Sequence, residues 1–100
     1  MATTSKALVR QAAATSSTTL YTVPASTTTV VTNIAVTNTA ASSATFELLL
    51  DDVVIAKTVP VAANDTTIID LKQVLATTKT IKGLASATTV NFHISGVEIV

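Results

Sequence analysis

His93 is the only imidazole in the chain, with Ser95 and Gly96 just after it, so nucleophilic chemistry would have to be assembled here. A serine nucleophile needs a histidine base within hydrogen-bond reach and a carboxylate behind that base. On an extended strand His93 and Ser95 share a face but stand roughly 6.6 Å apart, the rise of two residues, which is too far for a direct bond. Asp51, Asp52, Asp65 and Asp70 supply the carboxylates for acid–base work or a calcium site. Each stands where a turn or a helix cap favours Asp, which explains it without chemistry. Glu47 and Glu98 fall in strand-like runs and are expected on outward faces, where charge discourages edge pairing. One His and no Cys offer no zinc set, and two glycines, Gly83 and Gly96, build no phosphate loop. Lys72, Lys79 and Lys82, joined by Lys57, form one basic cluster without interleaved aromatics, which reads as a solvated face. No catalytic, metal or cofactor-binding residue is assigned, no cofactor is implied, and an enzyme is not expected.

The elements that would position any site are strands. The chain has 21 Thr, 13 Val and 7 Ile among 100 residues, side chains stiff at χ1 that suit a pleated surface. Six basic residues balance six acidic ones, which leaves no field for nucleic acid or anionic lipid. Hydrophobic residues make up 48%, enough for a packed core. After Met1 to Lys6 the apolar run is only Ala7-Leu8-Val9, so no secretory signal is expected, and no stretch approaches the ~18 apolar residues of a membrane span.

Short alternating runs separated by polar punctuation recur along the chain, the rhythm of an all-β sandwich. Residues 1–17 read as an N-terminal arm or linker, within which Ala7 to Val9 has strand character, and residues 18–100 as the sandwich domain. Leu20 to Val23 stops at Pro24. Thr28 to Thr37 sets Val30, Ile34 and Val36 on one face and Val31, Asn33 and Ala35 on the other. Thr45 to Leu50 points Phe46, Leu48 and Leu50 inward, and Asp51-Asp52 turns the chain so that Val53 to Thr58 pairs back. Pro60 closes that strand and residues 62–65 turn again. Thr66 to Leu71 puts Ile68 and Ile69 on opposite faces, so one of them meets a partner or an overlying loop. Leu71, Val74 and Leu75 have helical spacing, which predicts a helical turn over 70–77 capped by Asp70. In Thr89 to Val100, Val90, Phe92 and Ile94 point inward, with Val97 and Ile99 following if Gly96 is a bulge that resets the phase. The expected fold is a compact antiparallel β-sandwich, jelly-roll or immunoglobulin-like, of seven to eight strands with an extended N-terminal arm.

The wording of these strands is distinctive. Leu20-Tyr-Thr-Val-Pro-Ala25, Thr27-Thr-Thr-Val-Val31, Ile34-Ala-Val-Thr-Asn38, Ser43-Ala-Thr-Phe46, Ala63-Asn-Asp-Thr66 and Phe92-His-Ile-Ser-Gly-Val-Glu-Ile99 together resemble small β-sandwich structural proteins of tailed bacteriophages. The resemblance covers about residues 18–99. It implies a non-enzymatic virion component, most simply a capsid decoration or cement protein assembled in the host cytoplasm; the alternatives are a neck, tail or baseplate subunit, or a tail-tip module binding a host-surface receptor. Members often carry Gly after the Val-Pro-Ala step, where this chain has Ser26. The implied partners are copies of itself and a major capsid, tail or neck protein, with neither nucleic acid nor membrane.

The Thr excess fits that expectation. Thr27-Thr28-Thr29, Thr37-Asn38-Thr39 and Thr78-Lys79-Thr80 set hydroxyls two residues apart, as ice-binding surfaces do, but the internal repeat of a solenoid is missing. A surface of Thr, Ala, Ser and Val is poorly defended against edge pairing, and desolvating it against a neighbour strips few charges of water. Leu8, Val9 and Arg10 in the arm, and Tyr21 as an amphipathic aromatic, are the residues expected at an interface, Tyr21 equally suiting the core.

Overall fold

The structure is a computed structural model and describes residues 2–100. Its elements are β1 (Thr3–Ala12), β2 (Thr18–Thr22), β3 (Thr28–Asn38), β4 (Ala44–Leu50), β5 (Val53–Val61), β6 (Thr66–Leu75), β7 (Thr80–Ala85) and β8 (Val90–Ile99). Two four-stranded sheets run in the orders β1-β8-β3-β6 and β2-β7-β4-β5, every neighbouring pair antiparallel. Only the β4–β5 hairpin stays within one sheet; every other connection between these strands crosses to the other layer. That strand order is a jelly roll, which settles the choice between the two sandwich topologies.

Alternation builds the core from both layers. β4 is buried at Ala44, Phe46, Leu48 and Leu50, and β8 at Val90, Phe92 and Ile94. The Phe46 and Phe92 rings, one from each sheet, meet edge to face with centroids 6.1 Å apart. Gly83 makes room for this contact: a Cβ there would lie 2.8 Å from Leu48 Cδ2, 3.0 Å from Leu20 Cδ1 and 3.2 Å from Phe92 Cε2.

The turns manage without glycine. Asp51 and Asp52 both have left-handed φ, 55° and 59°, between the paired Leu50 and Val53, as a type I′ hairpin demands. Ser26 sits at φ 55°, the left-handed conformation Gly adopts freely, so this turn forms without glycine.

Several expectations are corrected. Residues 70–77 hold no helical turn: β6 runs to Leu75, paired with β3 from Thr29↔Leu75 to Thr37↔Thr66. Leu71 and Leu75 fit a period of two, in phase with Ile69, as well as a helix, and Val74, 68% exposed, shows that the strand is correct. Gly96 does not reset the phase of β8. The register breaks lie in its neighbours, between Ala7 and Val9 in β1 and between Val31 and Asn33 in β3. Gly96 therefore stays in phase with Ile94, facing inward, and Val97 and Ile99 lie on the other face, half-buried. The β3 break brings Val31 into the core with Ile34 and Val36, and Val30 to the outer face. Pro60 lies one residue inside β5, opposite Thr45, on an edge strand, the place in a sheet where a residue without an N–H is tolerated.

Residues 3–12, read from the sequence as part of an arm, are the strand β1 along β8, and residues 13–17 connect it to β2. Consecutive burial of Leu8 and Val9 follows from the bulge between Ala7 and Val9, which turns two adjacent side chains to the same side.

Candidate assembly interface

Tyr21, near the end of β2, is where the two sheets are clasped. Its hydroxyl donates to Glu98 Oε2 at 2.5 Å and lies 2.9 Å from Thr29 Oγ1. Lys6 Nζ stands 3.4 Å from Glu98 Oε1. Glu98 belongs to β8, Thr29 to β3 and Lys6 to β1, so the phenol ties β2 directly to two strands of the facing layer and reaches β1 only through Glu98. Glu98, expected on an outward face, is instead half-buried in this group. Burial, and after it the hydrogen bond to Glu98, push the Tyr21 phenol from 10.0 up to about 12. The hydrogen bond from Tyr21, and beyond the opposing effect of burial the Lys6 ammonium, hold the Glu98 carboxyl below its ordinary value.

The two shifts have opposite pH signatures. The lowered Glu98 contributes stability above its unfolded value, lost as pH falls through the folded one. The raised Tyr21 contributes stability that is complete below pH 10.0 and declines as pH rises toward about 12. Tyr21 is the single tyrosine and there is no Trp, so phenolate absorbance reads this residue alone. Its titration is expected to centre near pH 12, together with loss of the β-sheet circular dichroism signal. A midpoint near 10 with the sheet signal intact would show that the clasp does not form.

The four residues singled out from the sequence do not share one surface in the single chain. Leu8 and Val9 face the core, Tyr21 is half-buried in the clasp, and Arg10 is exposed on the outer face of β1, opposite His93. His93 is exposed between Arg10 and Ala35, and among the described residues no three His, Cys, Asp or Glu side chains gather as a metal site. The lysines are not brought together: Lys79 and Lys82 pair with Asp51 at 3.6 Å and Asp52 at 2.6 Å, Lys57 pairs with Glu47 at 3.0 Å, and Lys72 is on the other sheet. An open depression of about 230 Å³ lies over β4 and β7, lined by Thr15, Thr45, Thr58 and Ser86 with Glu47 and Leu84.

What sequence reading missed is the exposed apolar run at the β5 edge and Val74; of the β6 side chains, it already sets one of Ile68 and Ile69 against a partner or an overlying loop. Val53, Val54 and Ile55 on β5 are exposed by 67%, 46% and 41%, and on β6 Ile68 by 59%. Val74 belongs to the row Ser5–Val97–Val30–Val74 across the outer face of the first sheet. The signal on β6 was the pair Ile68-Ile69, which alternation cannot bury on both sides.

Fold and surface together define an eight-stranded jelly roll with an extensive uncharged exterior. No protein-family model and no curated protein matches the chain. Among solved structures it is similar to a pentameric capsid protein isolated from metagenomic phage sequences, at 16% identity and a TM-score of 0.40 over 90% of this chain and 59% of that one. A second pentameric capsid protein from metagenomic phage sequences is similar at 15% identity and a TM-score of 0.34, over 90% and 60%. The chain thus spans about three-fifths of the length of these proteins.

Proposed function

We propose that this chain is a non-enzymatic structural protein of a tailed-phage virion, a capsid decoration protein that stabilises the particle by associating with copies of itself and docking on the shell. One observation carries the reading. Val53, Val54, Ile55, Ile68 and Val74 remain exposed in a chain whose charged residues are only 12%, a surface that favours contact over solitary solubility. Four of its acidic groups, Asp51, Asp52, Glu47 and Glu98, are already engaged with lysines of the same chain. Covering the rest removes mainly methyl groups and hydroxyls from water, so contact area adds up without stripping free charges. The work is mechanical, spreading load between neighbouring subunits.

Native mass spectrometry across a dilution series, paired with immunogold labelling of purified particles of the encoding phage, tests this. Discrete oligomers and label on the capsid are expected. A monomer at every concentration and unlabelled particles would overturn it.

A further inference from the structure

We infer that copies of this chain join edge to edge, β1 of one subunit adding to β6 of the next so that the sheet β1-β8-β3-β6 continues from copy to copy. The inference rests on the structural reading above and names the surface that reading needs.

Each sheet has two free edges, and they are not equally open. β2 is five residues long and bulged between Thr19 and Tyr21. β5 breaks register on both sides of Leu48↔Ala56, carries Pro60 and holds Thr58 at φ 48°. Bulges, prolines and short length are the ordinary protections of an edge. β6 and β1 each carry one break too, β6 between Asp70 and Gln73 and β1 between Ala7 and Val9. But β6 is paired without interruption from Thr66 to Asp70 and β1 from Val9 to Ala12, and neither edge holds a proline. These two uninterrupted stretches lie on opposite margins of one sheet.

Their directions fit. With each neighbouring pair antiparallel across β1-β8-β3-β6, β1 and β6 run opposite to one another. A second copy in the same orientation, displaced by one sheet width, therefore presents its β1 antiparallel to the first copy's β6. The contact is heterologous, two different patches meeting, which propagates into a ring or a filament.

Charge and side-chain rows fit as well. Arg10 and Asp70 take part in no ion pair among the described residues; Asp70 accepts only a 3.4 Å hydrogen bond from the Asn33 amide. One row runs Arg10–His93–Ala35–Ile68 across the outer face. Continued into the next copy, that row sets Arg10 opposite Ile68 and diagonal to Asp70, within reach of a long side chain. The Arg10 stem then covers the exposed Ile68 while its guanidinium meets the carboxylate.

The chain has no cysteine, so cross-linking reads the contact directly. Single variants Arg10→Cys and Ile68→Cys, each oxidised alone and then mixed, are expected to give a covalent dimer only in the mixture, joined 10 to 68. Cysteine at 66 or 70 in place of 68 detects the same edge with its register moved by two. Arg10→Asp and Asp70→Arg are each expected to weaken self-association about tenfold and to restore it together when both sit on one chain. Oligomeric wild type with 10–10 or 68–68 links, or with none, overturns this surface and leaves the structural role standing. Wild type that stays monomeric at every concentration overturns both.

Discussion

Asn38→Asp is expected to be among the most destabilising isosteric changes in this protein, costing about 3–5 kcal/mol at neutral pH. Asn38 has no exposed surface. Its amide nitrogen donates to the carbonyls of Ser42 at 2.8 Å, Val61 at 3.2 Å and Ala62 at 3.5 Å. Its amide oxygen accepts from the Ala40 N–H and the Thr89 hydroxyl, each at 3.1 Å. One side chain thus holds the start of the β3–β4 loop, the β5–β6 turn and the β7–β8 loop at one end of the sandwich. A carboxylate keeps the accepting half and turns a charged oxygen toward three carbonyl oxygens. The cost is a large share of the 5–15 kcal/mol that typically holds a domain together. Urea unfolding of both proteins measures it. Because burial favours the protonated acid, which donates one hydrogen bond, the deficit against wild type is expected to shrink as pH falls. Equal urea midpoints at neutral pH would show that the three carbonyls do not depend on the amide.

This hub also marks where the sequence stops being legible. In the run Asn38-Thr-Ala-Ala-Ser-Ser43, Asn reads as an ordinary loop opener, because the carbonyls that make it a hub lie at 61 and 62, far along the chain. The Tyr21–Glu98 clasp was hidden for the same reason: 77 residues separate the partners, and alternation said only that Glu98 was on a strand. β4 and the first half of β8 were readable because each buries one face without a break, and Asp51-Asp52 because a polar pair between apolar runs has few uses other than a hairpin. β1 was less readable. In Thr-Thr-Ser-Lys-Ala-Leu-Val-Arg-Gln-Ala the two core residues are adjacent, a pattern that only a bulge makes compatible with a half-buried strand. The jelly-roll order itself comes from which sheet each connection crosses to, a property of the whole chain that no local pattern records. Among the residues of the proposed edge contact, Arg10 was singled out only as part of the N-terminal arm with Leu8 and Val9; Ile68 was visible as an unplaced apolar side chain, but its neighbourhood to Asp70 on a free edge required the register.

Gly96→Ala is expected to cost about 3 kcal/mol or more, well beyond a usual overpacking penalty for one methyl group. The reason is space. Gly96 has no left-handed φ, so alanine could adopt its backbone conformation, yet the added Cβ would overlap the carbonyl oxygen of Val30 and come within 2.9 Å of Leu8 Cδ1. Val30 is in β3, the strand bonded to β8 here, and a backbone carbonyl cannot step aside without opening the ladder. Gly83→Ala is the natural comparison. Its closest atoms are the tips of Leu48 and Leu20 at 2.8 and 3.0 Å, which rotate at modest cost, so a penalty of about 1 kcal/mol is expected there. Leu8→Ala in the Gly96→Ala background separates the two obstacles: it relieves the leucine contact but not the carbonyl, so it should recover little and add its own cavity. Thermal unfolding of the four proteins checks the order. If Gly96→Ala proves no worse than Gly83→Ala, or if trimming Leu8 rescues it, the close approach of β3 to β8 is not what glycine serves, and the bulges flanking it in β1 and β3 would need another cause.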